Sequence, residues 1–248
     1  MPLKNHTSQA PEGKRVLVTG ASSGIGLAIA QALDQAGWHV INFDINEPSQ
    51  PIGQFAKVDM SNAADLMKTL ASITGDPLLV GLVNNVGMVR PALLEQTTLE
   101  DFDYQMSVNA RAALLCTQAL LPGMRSAGFG RVVNISSRAA LGKELRTAYA
   151  GTKGTLNAFT KTWALELGRA GITVNAVAPG PIGTEAFFIA NPPESARTQQ
   201  IIAAVPVGRM GRPEDVAAAV EFLMQNRSGF ITGQVLNVCG GMTVGLAH

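Results

Sequence analysis

Tyr149 and Lys153 stand four residues apart in Tyr-Ala-Gly-Thr-Lys, so on a helix they share one face. A phenol with a pKa near ~10 carries protons poorly at neutral pH. An ammonium beside it favours the phenolate and moves it toward the working range, which turns the pair into a candidate acid/base. Such a pair also occurs as plain surface packing, so the rest of the chain must decide its meaning.

A second constellation lies near the N-terminus. The run Thr19-Gly20-Ala21-Ser22-Ser23-Gly24-Ile25-Gly26 follows a β-branched stretch and leads into Leu27-Ala28-Ile29-Ala30. Glycines there permit a sharp turn and let backbone N–H groups approach a pyrophosphate, toward which the next helix points its positive end. Asp44 follows 18 residues after Gly26, close to the ~20-residue offset at which a carboxylate takes the ribose hydroxyls of a dinucleotide. A carboxylate there suits NAD and repels the 2′-phosphate of NADP. No Lys or Arg stands in the glycine turn or just after Asp44 to reverse that, and Ser23 is neutral. The competing reading makes Asp44 a turn residue ahead of Asn46-Glu47-Pro48.

The composition agrees with a buried-core enzyme. The 248 residues are 46% hydrophobic and 15% charged, with net charge +1. That is too apolar for disorder and too balanced for a nucleic-acid or anionic-membrane footprint. Cys116 and Cys239 match no metal or disulfide spacing and read as buried thiols of a reducing compartment. His6, His39 and His248 are scattered and suggest no metal. The polar start, residues 1–13, reads as a flexible arm without a secretory h-region, and no apolar run reaches the ~18 residues of a membrane span. A cytoplasmic protein is expected.

These residues need strands and helices to hold them. β-Branched runs recur at Arg15–Thr19, His39–Asp44, Phe55–Asp59, Leu79–Asn84, Arg131–Ile135, Ile172–Val177 and Gln234–Val238. Between them lie helical stretches such as Gly26–Gln35 and Thr152–Leu167. Alternation of this kind predicts one α/β, doubly wound, Rossmann-type domain over residues 14–248, with a seven-stranded parallel sheet. Residues 183–205 break the rhythm with Pro192, Pro193, Phe187 and Phe188. They read either as a substrate lid or as an ordinary surface helix and loop.

Over residues 14–245 the chain resembles the short-chain dehydrogenase/reductase family. The resemblance is carried by Thr19-Gly20-x-x-x-Gly24-x-Gly26, Asn84-Asn85-Val86-Gly87, Asn109, Asn134-Ile135-Ser136-Ser137, Tyr149-x-x-x-Lys153 and Pro179-Gly180-Pro181-Ile182-Gly183-Thr184, in that order. It implies that Tyr149 exchanges the proton of the substrate oxygen. Lys153 lowers the phenol's pKa and binds the nicotinamide ribose, and Asn109 holds a water linking Lys153 to solvent. Ser137 orients the substrate oxygen by alignment, although spacing to the tyrosine favours Ser136. For the cofactor, the resemblance assigns Gly20, Ser22, Ser23, Gly24, Ile25 and Gly26 to the glycine turn, Asp44 and Ile45 to the end of the second strand, and Asp59 and Met60 to the adenine edge. Asn85, Val86 and Gly87 lie on the adenosine side; Tyr149, Lys153, Pro179, Gly180, Ile182 and Thr184 lie toward the nicotinamide, with Ile182 and Thr184 on its carboxamide. Val86 replaces the commoner alanine, and Cys239 stands where an aspartate often precedes Gly240-Gly241.

For the substrate, the resemblance points to Met88, Arg138, Leu141, Phe187 and Phe188. A lining rich in Met, Leu and Phe suits an apolar secondary alcohol of the arylethanol type better than a polyol. Arg138, Lys143, Glu144 and Arg146 read as a solvated rim or as partners for a phenol, carboxylate or sugar. The competing activities are 3-oxoacyl-carrier-protein reduction and sugar or polyol dehydrogenation, and a reading from another class is a dinucleotide-binding sensor without chemistry. The helices Ala110–Leu121 and Ala150–Gly168 are apolar around much of their circumference, which fits burial against other subunits. The family's usual homotetramer agrees, and a tightly packed monomer is the alternative.

Overall fold

The strands form because their sequences are runs of Val, Ile and Leu that can be covered on both faces, as a parallel sheet requires. In the computed structural model, which describes residues 9–48 and 50–244, seven strands run β1 (Arg15–Thr19), β2 (His39–Asp44), β3 (Gln54–Lys57), β4 (Leu79–Asn84), β5 (Gly130–Ile135), β6 (Ile172–Pro179) and β7 (Val235–Val238). Their spatial order is β3-β2-β1-β4-β5-β6-β7, all parallel. Every residue of β4, β5 and β6 is buried. The expected sheet is therefore the observed one. Of the predicted N-terminal arm, residues 1–8, including His6, lie outside the described residues, as does His248.

Alternation along β1 separates two cores. Val16 and Val18 face α1 (Gly24–Gln35), packing with Ile29 and Leu33 and with Val216, Val220 and Leu223 of a C-terminal helix, Pro213–Met224. Leu17 faces the other side, with Phe43, Leu66 and Leu70 of α2 (Ala63–Ala71), and with Cys116, Leu120 and Trp163 from the helices described next. Each fully buried Leu or Phe contributes about 1.5–3 kcal/mol, so the two layers together clamp the sheet.

Several boundaries depart from the sequence reading, most by one or two residues and three with a visible cause or consequence. β3 ends at Lys57 rather than Asp59, because Asp59 Oδ1 accepts from Ser61 N and Oγ and curls the chain into a turn. The helix expected over Ala110–Leu121 is interrupted. α3 (Leu99–Met106) passes into a π-helical segment, Ser107–Arg111, before α4 (Ala112–Ala127) resumes, and Asn109 sits in the wide turn. α5 (Thr147–Leu167) begins ahead of both Ala150 and Thr152, the starts read from the sequence, and carries Tyr149 and Lys153 together. Residues 183–205 hold two short helices, α6 (Glu185–Ala190) and α7 (Ala196–Ala203), capped by the hydroxyls of Thr184 and Ser195. The Pro213–Met224 helix is α8.

From β1 the chain winds outward to β3, then crosses back to β4 on the other side, so the switch point lies between β1 and β4. The carboxyl ends of the strands all lie at one edge of the sheet, where open α/β folds bind ligands. Every segment singled out by the sequence leaves the sheet there.

Candidate active site

Thr19 ends β1 and ties its neighbour strand to the glycine turn. Its Oγ1 accepts from Asn85 N at 3.0 Å and Val86 N at 3.1 Å. The Asn85 side chain answers by donating to Thr19 O at 2.9 Å and Gly20 O at 3.1 Å. Asn85 is thus engaged in shaping the turn rather than presented outward. Gly20 and Gly24 adopt φ of +70° and +54°, and a Cβ on Gly26 would lie 1.9 Å from the Gly20 carbonyl oxygen. Only glycine permits that approach of turn and helix. α1 starts without a side-chain cap and without an acidic residue in its first turn. Among the described residues no side chain caps its first N–H groups, which suits a pyrophosphate.

Asp44 lies at the end of β2, 9% exposed. Its Oδ2 accepts from Ser22 N and its Oδ1 from Asn46 N, each at 3.0 Å. The carboxylate is fixed in place while each oxygen keeps further acceptor capacity for a hydroxyl. Beneath it, buried Asn42 accepts from Ala21 N at 3.1 Å and donates to Ser22 Oγ at 3.0 Å. Sequence reasoning missed Asn42. Its signal is an amide inside an otherwise apolar strand. Ile45 is half exposed beyond the strand end. Met60 points into the core beside Phe43 and Leu66, which leaves its backbone, not its side chain, for an adenine. Asp59 turns back to Ser61.

The second half of the site grows from β4, β5 and α5. Lys153 is 2% exposed and donates from Nζ to Ile135 O at 2.7 Å. Burial drops its pKa from 10.5 to about 8. The same Nζ lies 5.7 Å from the centre of the Tyr149 ring, and a Cβ on Gly87 would come within 3.0 Å of it. Gly87 therefore keeps the approach to the ammonium open. Tyr149 has its phenol pushed up by burial, against a hydrogen bond with Ser137 and the positive charge of Arg146, which both pull it down.

The two serines separate cleanly. Ser136 is 2% exposed and donates to Lys153 O at 3.1 Å, so it is tied to backbone. Ser137 is the one beside the phenol, and its Oγ also accepts from Ala139 N at 3.1 Å. Asn109 accepts from Met88 N at 2.7 Å and donates to Met88 O at 2.8 Å and to Thr152 Oγ1 at 3.0 Å. Its amide thus pins the loop after β4 to α5. Thr152, which completes that link, was not anticipated.

At the end that the resemblance assigns to the nicotinamide, Gly180 packs so closely that a Cβ would lie 2.7 Å from Cys239 Cα, and its N–H continues the ladder to Val238 O at 2.9 Å. Pro179 ends β6, Ile182 is buried against the α1 and α8 core, and Thr184 caps α6. Among the expected substrate residues, Met88 and Leu141 are exposed, Arg138 is half-buried, and Phe187 and Phe188 meet edge to face at 5.6 Å. The Phe188 ring packs over Gly183. A cavity of about 630 Å³ between α2 and α4 touches none of these groups.

Glycine turn, strand-end carboxylate and a Ser–Tyr–Lys group converge at one sheet edge, an arrangement with room and chemistry to suit a dinucleotide beside an acid/base. Comparison with known proteins decides the family. A model described as enoyl-(acyl carrier protein) reductase matches residues 20–243. The chain belongs to the short-chain dehydrogenase/reductase family. It is 36% identical over 246 residues to (2S)-((R)-hydroxy(phenyl)methyl)succinyl-CoA dehydrogenase subunit BbsD of Thauera aromatica, covering 94% of this chain and 98% of that one. It is 37% identical over 246 residues to 3-oxoacyl-(acyl-carrier-protein) reductase of Thermotoga maritima, covering 94% and 99%. Among solved structures, a protein from Agrobacterium tumefaciens assigned as a 2-deoxy-d-gluconate 3-dehydrogenase, with bound NADP, superposes with a TM-score of 0.86 at 34% identity, covering 96% and 99%. As a short-chain dehydrogenase/reductase the protein is an oxidoreductase that uses a nicotinamide cofactor. Among the described residues no helix is long and apolar enough to cross a membrane, and no group of His, Cys, Asp and Glu is arranged to hold a metal.

Proposed function

We propose that this cytoplasmic enzyme interconverts a secondary alcohol and its ketone by hydride transfer with NAD, on substrates of the 3-hydroxyacyl and 3-oxoacyl thioester class. The observation that carries the chemistry is the meeting of Tyr149, Ser137 and Lys153 next to a glycine turn shaped for a dinucleotide. NAD rests on Asp44, whose fixed carboxylate accepts ribose hydroxyls and repels a 2′-phosphate. The thioester class is supported by the names of the Thauera and Thermotoga relatives. They favour it over the arylethanol type expected from the apolar lining.

The dinucleotide supplies the hydride acceptor and a positive charge. The chain's own residues do the rest. Burial holds the Tyr149 phenol protonated in the free protein, while Ser137, Arg146 and the Lys153 ammonium all lower the cost of its phenolate. In oxidation, Tyr149 would first lose its phenolic proton to solvent, and the resulting phenolate would take the carbinol proton while the Ser137 hydroxyl donates to the same substrate oxygen. That two-point hold steadies an oxygen whose charge changes as the carbon–hydrogen bond breaks. Lys153 keeps further N–H donors beyond its bond to Ile135 O for the nicotinamide ribose. The side chain of Asn109 is engaged by Met88 and Thr152, so the water-holding role we propose for it falls to its main chain. We further propose a homotetramer, whose interfaces would cover Leu99 and Leu165, 81% and 86% exposed in the single chain.

The test is NADH formation at alkaline pH with 3-hydroxyacyl thioesters, arylethanols, aliphatic secondary alcohols and polyols, each with NAD and NADP and with Tyr149→Phe. Turnover of thioesters with NAD, lost in the variant, is expected. Turnover confined to polyols, or NADP preferred throughout, overturns the reading.

A further inference from the structure

The mouth of this site is cationic, and no ion pair among the described residues neutralises it. Arg138 opens the short turn Arg138–Leu141 that follows Ser137, Lys143 and Arg146 lie in the next loop, and Arg197 stands in the first turn of α7. The ion pairs among the described residues are Arg15–Asp76, Arg90–Asp101, Arg209–Asp215 and Arg212–Asp215. None of the four mouth cations is among them, although exposed Glu144 and Glu194 are near them in sequence. The cations do sense one another. Lys143 is lowered by burial and then by repulsion from Arg138, Arg146 and Arg197, and Arg146 by burial and then by Arg197. A cation in the first turn of α7 also opposes the helix dipole. Like charges gathered this way destabilise the free fold and favour an incoming anion.

Arg146 is held with particular care. It is the residue before α5, three positions ahead of Tyr149. Leu145, just before it, is the single non-glycine with positive φ among the described residues, at +60°. A left-handed leucine persists only where its surroundings impose it, and such residues cluster at functional sites. Here the constraint is visible: Ala92 N donates to Leu145 O at 3.2 Å, and Ala92 pairs with Arg146 in an isolated parallel bridge. Arg146 Nη1 adds a bond to Leu145 O at 2.9 Å. Leu145 is 40% exposed, so the strain is not explained by burying that side chain. These backbone contacts fix Arg146 at the start of α5, where its charge is felt by the Tyr149 phenol.

We propose that Arg146, backed by Arg138, Lys143 and Arg197, determines specificity by binding an oxyanion carried by the substrate, a carboxylate or a phosphate, while the carbinol carbon sits at Tyr149. This rests on the hydride-transfer reading of the same site. Because Arg197 belongs to the 183–205 segment, an anionic substrate also draws that segment toward α5.

The test is equilibrium binding to the NADH-loaded protein, read by NADH fluorescence, with three matched pairs. These are acetoacetate against acetoacetamide, benzoylacetate against its amide, and acetoacetyl-4′-phosphopantetheine against acetoacetyl-pantetheine. Wild type, Arg146→Gln, Arg146→Lys and Arg197→Gln are compared. The charged member of at least one pair is expected to bind about tenfold tighter or more, as for a partly buried charge-assisted contact. That advantage should fall to less than about threefold in Arg146→Gln, persist in Arg146→Lys, and shrink with added salt. Advantage in the acid pairs places the anion beside the ketone; advantage in the thioester pair alone places it on the carrier's phosphate. Equal binding of charged and neutral members in all three pairs overturns the inference, as does an advantage that survives Arg146→Gln. Failure to bind NADH overturns the hydride-transfer reading together with the inference, whereas NADH binding without preference for the anion overturns the inference alone.

Discussion

Lys153→Met should make the free protein more stable at neutral pH while abolishing its activity. Lys153 is 2% exposed, and burial lowers its pKa from 10.5 to about 8. At about 1.4 kcal/mol per pKa unit, holding that ammonium in the fold costs roughly 3 kcal/mol at pH 7. Methionine fills similar volume without the charge. It also removes the donor to Ile135 O at 2.7 Å, and a stranded buried carbonyl costs about 1–2 kcal/mol. The net expectation is a gain of about 1–2 kcal/mol. The dependence on pH gives a sharper signature. Below pH 8 the folded and unfolded chains both carry the proton, and the cost is borne in full. Between pH 8 and 10.5 the unfolded chain binds more protons than the folded one, so wild-type stability rises with pH. From pH 7 to 9.5 the wild type should recover about 2 kcal/mol relative to the variant, closing or reversing the gap. Urea unfolding of both proteins without cofactor, at one protomer concentration, measures this. A variant less stable than wild type at pH 7 by more than about 1 kcal/mol, or a gap that ignores pH, would refute the account of Lys153 as a buried charge kept for function.

Other substitutions test neighbouring parts of the site. Ser137→Ala should lower kcat about 100-fold or more, the range for one positioned donor, whereas Ser136→Ala should leave kcat within a few-fold and lower thermal stability by the loss of its bond to Lys153 O. Steady-state kinetics and melting curves distinguish the two, and equal effects on kcat would contradict the geometry. Asp44→Ala should shift the ratio of kcat/KM for NAD over NADP toward NADP by about tenfold or more, a single repulsive contact removed; an unchanged ratio would show that Asp44 serves only Ser22 N and Asn46 N. Gly26→Ala places a methyl 1.9 Å from Gly20 O, and should abolish NADH binding by fluorescence titration or prevent folding. Near-normal affinity in a folded variant would sink the close-packed turn.

Much of this was legible in the chain because the signals are local. The strands β1, β2 and β4 are short, mostly apolar runs bounded by Gly, Asp or Asn, and those boundaries match the structure residue for residue. Tyr149 and Lys153 were legible because helical spacing alone puts them on one face. What stayed hidden depends on non-local hydrogen bonds. The π-helical turn at Ser107–Arg111 has no composition of its own; it is set by Asn109 reaching across to Met88 and Thr152, 21 and 43 residues away. Asn42 reads as an odd amide in a strand until Ala21 and Ser22 arrive to use it.

The adjacent serines mark the boundary between the two kinds of information. Side chains alternate along an extended segment, so of two consecutive serines one faces the helix layer and the other the open edge. Residue type cannot say which, and counting back from the tyrosine favours the wrong neighbour for the phenol. The phase is fixed by β5 pairing with β6, in which Ser136 N takes up Val177 O. That register turns the Ser136 hydroxyl onto Lys153 O and leaves Ser137 beside Tyr149. Slipping the pairing by one residue would exchange their faces, so the hydroxyl available to a substrate oxygen is decided by strand register, a property of β5 and β6 together and not of either sequence alone.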